Sequence, residues 1–335
     1  MYMVEEKKYK VSVIVPIYNV ERFIGRCVKS LFEQTLENVE YIFVDDATPD
    51  DSISKIKDLL NEYSGKIKCS YILKHEMNRG LPAARNTGLS IAKGEYIFHC
   101  DSDDFVEPDM LEKMWIRAKE TDADIVWSDW FLSYGAKERY MLQPQFDSAE
   151  EALKGMLSGT MKYNVWNKLI KRELYINNHI LFPEGHGMGE DMTIIRLFAC
   201  ARKVAYAQGA YYHYVKINSG AMTAAWSDRH LNDLKFNVSQ TINFIYNKYG
   251  ESLNTFLEYF KLNVKLPFLI SDNITLYKLW DSWYAESNQY ILQNKVICFR
   301  TRILQWMAWK KQYWYVWLYF KFIYQLVYSV ILKYR

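Results

Sequence analysis

The chain has 335 residues, enough for one large domain or two ordinary ones, and half of it is hydrophobic, so a sizeable core can form. A formal net charge of +3 gives no case for a polyanion partner from the total alone. The five cysteines carry no CxxC or histidine-linked spacing and read as buried free thiols of a reducing cytosol, and the opening MYMVEEKKYK lacks the apolar stretch of a signal peptide.

The first 126 residues alternate between two periods. VSVIVPIY reads as a buried strand, and ERFIGRCVKSLFEQT follows with Phe23, Cys27, Leu31 and Phe32 near helical spacing. VEYIFVDD is a second strand, DDSISKIKDLLNEY a helix, IKCSYILK a third strand, and LPAARNTGLSIAKG a helix ended by Gly94. EYIFHC, DMLEKMWIRAKET and ADIVWS complete the series as strand, helix and strand. This alternation predicts an α/β fold, a mostly parallel Rossmann-like sheet flanked by helices on both faces. Such sheets bind ligands beyond the carboxyl ends of their strands. Three polar clusters end strands here and should share one rim: Pro16 to Asn19, Asp45-Asp46, and Asp101-Ser102-Asp103-Asp104. From about 130 to 227 the pattern is mixed and holds the glycine-rich PEGHGMGED; from 228 to 286 it is helical.

The strand-end clusters carry the chemistry. Asp101 and Asp103 suit a hard cation such as Mg²⁺ or Mn²⁺ that takes its other oxygens from a diphosphate; the alternative is a plain acidic turn. Asp46 can accept hydrogen bonds from a nucleobase or ribose, because Asp50 is better placed to cap the next helix. Tyr18 can stack on a planar base or pack at the rim. Arg79 and Arg85, near a helix start, suit phosphate. Glu190 and Asp191 follow Gly185, Gly187 and Gly189 and open a helix, where a carboxylate acts as general base or as a cap.

Taken in order, VSVIVPIYN, SLFEQT, EYIFVDDATPD, NRGLPAARNTGL, GEYIFHCDSDDFVEPDML, NVWNKLIKRELY and GEDM resemble the family 2 glycosyltransferases, over roughly residues 9–220. The resemblance implies a GT-A fold and an inverting, metal-dependent transfer from a nucleotide-sugar, very often a UDP-sugar. It implies that Pro16, Tyr18 and Asp46 hold the uridine and that Arg85 lies near the phosphates. Asp101 and Asp103, with Ser102 between them, would form the site for Mn²⁺ or Mg²⁺. Asp191 would be the general base, with Glu190 beside it. YYHYVKINSG resembles the segment that closes over the donor, although Val215 and Lys216 stand where the family often has arginine; His213 in it faces either the metal or the core. Trp166, Asn167 and Lys168 are candidates for the acceptor side, against a structural role.

After Glu286 there is no acidic residue, while Lys295, Arg300, Arg302, Lys310, Lys311, Lys321, Lys333 and Arg335 are basic, so the rest of the chain is net acidic. Residues 313–332 are almost wholly apolar and aromatic, with Lys310, Trp314, Trp317, Lys321, Gln325 and Tyr328 on one helical stripe. That pattern predicts attachment to the cytoplasmic face of a membrane rather than a span, the alternative being a helix packed on protein. The organisation expected is a transferase domain over 1–227, a helical extension over 228–294 and an attachment tail over 295–335. A lipid-linked or oligosaccharide acceptor of capsule or O-antigen type, no nucleic acid and an optional homodimer complete the partners expected.

Overall fold

The structure is a computed structural model that describes residues 9–134, 137–216 and 226–331. The chain forms two compact units. The first comprises Met1–Ala149 and Tyr163–Asn237, the second Glu150–Lys162 and Val238–Arg335.

The first unit is built on a mixed sheet. Its strands are β1 (Val11–Ile17), β2 (Val39–Asp45), β3 (Ser70–Lys74), β4 (Tyr96–His99), β5 (Phe105–Val106), β6 (Ile125–Tyr134), β7 (Lys137–Met141), β8 (Lys168–Lys171) and β9 (Val204–Val215). Helices α1 (Ile24–Phe32), α2 (Ser52–Glu62), α3 (Leu81–Ile91) and α4 (Met110–Thr121) alternate with the first strands as the sequence periods predict. β3, β2, β1 and β4 are parallel in that order. The expected fifth strand, β6, does not sit beside β4. β8 lies between them, antiparallel to both, and β9 runs parallel to β6 on its far side.

β1 and β2 are buried along their whole length, which is why they read as continuous apolar runs. α3 rests directly on β1: a Cβ at Gly88 would stand 2.4 Å from Ile14 Cγ2. Gly94, just past α3, is pressed against β1, where a Cβ would lie 2.4 Å from the Ser12 nitrogen. Buried Glu40 satisfies that turn by accepting the Lys93 N–H at 2.6 Å and the Gly94 N–H at 3.1 Å. The register pairs Ile17 with Asp45, Asp45 with Lys74, and Ile14 with His99, so the carboxyl ends of β1 to β4 open on one rim.

The second unit is helical. Helices Asn254–Lys265, Ile274–Ser282, Phe299–Trp309 and Tyr313–Tyr319 bury Leu257, Phe260, Trp280, Leu304, Ala308 and Val316. The tail continues as a π-helix over Phe320–Ile331. Lys321, one residue of the polar-aromatic stripe, pairs with Asp272 at 2.9 Å within this unit. Trp314 (60 % exposed), Trp317 (44 %), Phe322 (57 %) and Leu326 (44 %) stand in solvent while Val316 and Phe320 are buried. Among the described residues no helix is long and apolar enough to cross a membrane.

Candidate active site

Four segments meet at the rim. Tyr18 follows β1 and is half-exposed, whereas Pro16 is buried in the strand. Asp46 follows β2 and is buried. Its carboxylate accepts from the backbone N–H of Arg79 and of Gly80, each at 2.8 Å, and lies 2.7 Å from His75 Nδ1. It thereby fixes the loop that launches α3, in which Gly80 takes φ +86°. Asp50 accepts the Ser52 N–H at 3.2 Å at the head of α2.

α3 then delivers Arg85 inward, where it is 1 % exposed. A buried guanidinium needs compensating charge. Nη2 donates to Asp101 Oδ1 at 2.9 Å; Nη1 donates to Glu190 Oε1 at 3.3 Å and to Asp191 Oδ1 at 3.2 Å. The arginine expected to meet phosphate thus holds three carboxylates, from the end of β4 and from a short 3₁₀ turn, Glu190–Met192. That turn starts after Gly189 at φ +87°. Its approach loop is tied to the helix Asp228–Tyr249, whose Asn237 donates to the Met188 carbonyl at 2.9 Å and whose Asp233 accepts the Gly187 N–H at 3.2 Å.

The carboxylates are not electrostatically alike. Burial first, then the charge of Asp191, pushes Glu190 up to about 8, with Arg85 opposing. Burial also raises Asp191, again against Arg85. Its side chain keeps 28 % exposure, so a substrate hydroxyl can reach it. Lys168, on β8 and buried, donates to the Asn164 carbonyl at 2.7 Å and to Asn167 Oδ1 at 2.9 Å. Burial pushes its ammonium down to about 7, against the pull of Asp191.

The DSDD turn divides its labour. Asp104 is fully buried and accepts from Tyr212 Oη and from the Val215 N–H, each at 2.7 Å. It ties the turn to β9 across more than a hundred residues, a role with no local sequence signal. Ser102 is buried, and Asp101 and Asp103 keep partial exposure at the rim. Among the described residues no three His, Cys, Asp or Glu side chains converge as a ready-made metal cage. The donor set fits an ion held by one or two carboxylates that completes its shell with diphosphate and water.

Several other candidates are core residues. His213 lies between Phe105 and Phe131, ring centroids 4.1 and 4.8 Å away, with its nitrogens 2.7 Å from Glu138 and 2.8 Å from Glu107. Trp166 stacks on Tyr212 at 4.4 Å, and Asn167 donates to the Ser128 carbonyl at 2.8 Å. Both are buried, so the acceptor-side reading loses its surface. Residues 217–220 of the expected closing segment lie outside the described residues.

Comparison with known proteins gives the family. The family model described as Glycosyl transferase family 2 matches residues 12–193. A cholesterol galactosyltransferase of Borreliella burgdorferi is 32 % identical over 288 residues, covering 80 % of this chain and 78 % of that one. Among solved structures, Staphylococcus aureus TarS 1–349 in complex with UDP-GlcNAc superposes with a TM-score of 0.67 at 20 % identity, covering 94 % of this chain and 92 % of that one. The mannosyltransferase PcManGT of Pyrobaculum calidifontis, in complex with GDP-Man and Mn²⁺, has a TM-score of 0.52 at 17 % identity over 94 % and 88 % of the two chains. With its parallel half-sheet, its acidic rim and a family match over more than half its length, the chain belongs to the family 2 glycosyltransferases.

Proposed function

We propose that the enzyme moves a hexose or N-acetylhexosamine from a UDP-sugar to a hydroxyl of a glycan acceptor, inverting the anomeric carbon. One observation carries the reading: Asp101, Glu190 and Asp191, from distant segments, meet on Arg85 at the carboxyl rim of the sheet. Tyr18 would stack on uracil, with Pro16 and the Asp46-anchored loop bordering the nucleoside. Asp101 and Asp103 would hold Mn²⁺ or Mg²⁺, with Ser102 between them. When bound there, the ion would offset the charge that develops on the departing UDP.

Asp191 would take the acceptor hydroxyl proton as that oxygen attacks the anomeric carbon opposite the diphosphate. Direct displacement turns an α-linked donor into a β-glycoside. Arg85 spends its guanidinium on carboxylates, so its help to the diphosphate is indirect and electrostatic.

For the acceptor we favour a polyprenyl-diphosphate-linked saccharide of capsule or O-antigen type, met at the cytoplasmic membrane face. The exposed Trp314, Trp317, Phe322 and Leu326, with exposed Lys310 and Lys311 nearby, support that placement. So does the similarity to a galactosyltransferase named for a lipid acceptor. The test is donor hydrolysis and transfer across a panel of UDP-sugars with Mn²⁺ and short polyprenyl-diphosphate-sugar analogues, with Asp103→Ala beside the wild type. Metal-dependent UDP release from one donor, lost in the variant, is the expected result. Undiminished release in the variant would remove Asp103 from the site, and absence of UDP binding would end the donor reading.

A further inference from the structure

We infer that Arg85 is a positioning residue that couples occupancy of the donor aspartate, Asp101, to the setting of the Glu190–Asp191 pair. The inference rests on the reading of Asp101 as the donor-metal aspartate and of Asp191 as the base.

The geometry is that of a balance. One rigid, planar fork serves both sides, so Nη1 and Nη2 move together. The contact to Asp101, at 2.9 Å, is a full charge-assisted bond; those to Glu190 and Asp191, at 3.3 and 3.2 Å, are slack. The fork therefore leans toward the Asp101 side. Among the described residues its Nε has no hydrogen-bond partner, so none of them pins the third nitrogen against a shift. The face of Phe182, 5.3 Å from the guanidinium carbon, offers a smooth apolar floor.

A divalent cation on Asp101 competes with the guanidinium for the same carboxylate and repels it. The fork can answer only by moving toward Glu190 and Asp191, which shortens those slack bonds and orients the base. Donor would thus prepare the base before acceptor binds. An arginine serves this where a lysine would not, because one ammonium cannot fork between both sides while carrying the same charge.

Calorimetric affinity for UDP with Mn²⁺ is measured on four proteins: wild type, Asp191→Asn, Arg85→Lys and the double variant. Removing the base-side charge lets Arg85 grip Asp101 harder, so Asp191→Asn should weaken binding about fivefold or more when Arg85 is present. With R85K in place the same change should weaken it by less than about twofold. Equal weakening in both backgrounds would mean plain through-space attraction and would overturn the coupling, as would no weakening in either. Hydrogen exchange on the wild type gives a second readout should R85K fail to fold: Mn²⁺ and UDP, without acceptor, should slow exchange at Glu190–Met192, and unchanged exchange there at saturation would overturn the proposal. Absence of any UDP binding by the wild type would take down the donor reading and this inference together. Intact binding without coupling would sink the inference alone.

Discussion

At the residue scale, the site turns on how one arginine and two neighbouring carboxylates share charge. Burial raises both Glu190 and Asp191; the charge of Asp191 adds to the rise of Glu190, which reaches about 8, and the charge of Asp101 adds to that of Asp191. The acidic limb of kcat/KM should therefore lie well above the range of a free aspartate, about 4, and its apparent value belongs to the pair. Activity should fall on the acid side of the profile, because protons on the pair remove the base. A profile from about pH 5 to about pH 9 checks this, and a limb near that of a free aspartate would contradict it. The sign for stability runs the other way. A raised carboxyl keeps its proton in the folded state, so its contribution is full below about 4.3, the ordinary glutamate value, and is lost as pH rises through about 8.

At the element scale, the DSDD turn, closed by the Asp104 N–H to Asp101 carbonyl bond at 3.2 Å, is held from outside by β9. Tyr212 Oη and the Val215 N–H supply the donors that make a fully buried Asp104 tolerable. The Tyr212 hydroxyl also accepts the Asp101 N–H at 3.2 Å, so one side chain braces both the anchor aspartate and the site aspartate. Tyr212→Phe should cost about 1–3 kcal/mol, the penalty for leaving a buried acceptor short of a donor. Urea unfolding measures it, and a loss below about 0.5 kcal/mol would show that the turn holds without β9. This brace was hidden from a sequence reading because tyrosine in an aromatic-rich strand looks like core packing. The third aspartate, likewise, looks like one more member of an acidic cluster.

At the scale of the whole molecule, the tail is partly structural. Leu304, Ala308 and Val316 belong to the core of the second unit, so deleting residues 295–335 would unfold what it aims to test. Replacing Trp314, Trp317 and Phe322 by serine spares that core. The triple variant should keep its stability within about 0.5 kcal/mol per site, as exposed substitutions do. It should lose co-flotation with anionic vesicles if these side chains seat in the headgroup zone. Flotation unchanged from the wild type, or independent of anionic lipid, would count against membrane attachment.

The strand and helix order of the first 126 residues, the rim of polar strand ends and the family resemblance were legible in the sequence. They depend on period, turn chemistry and short-range spacing, which the chain writes locally. The helical run after 228 was legible for the same reason. What only the tertiary structure decided depends on contacts between distant segments. β8 enters between β4 and β6 because hydrogen-bonding partners, not chain order, set sheet order. Trp166 and His213 are core because aromatic neighbours from other strands cover them. Lys321 serves an ion pair with Asp272, 49 positions earlier. Arg85 meets carboxylates 16 to 106 positions away, and burial makes that charge compensation compulsory.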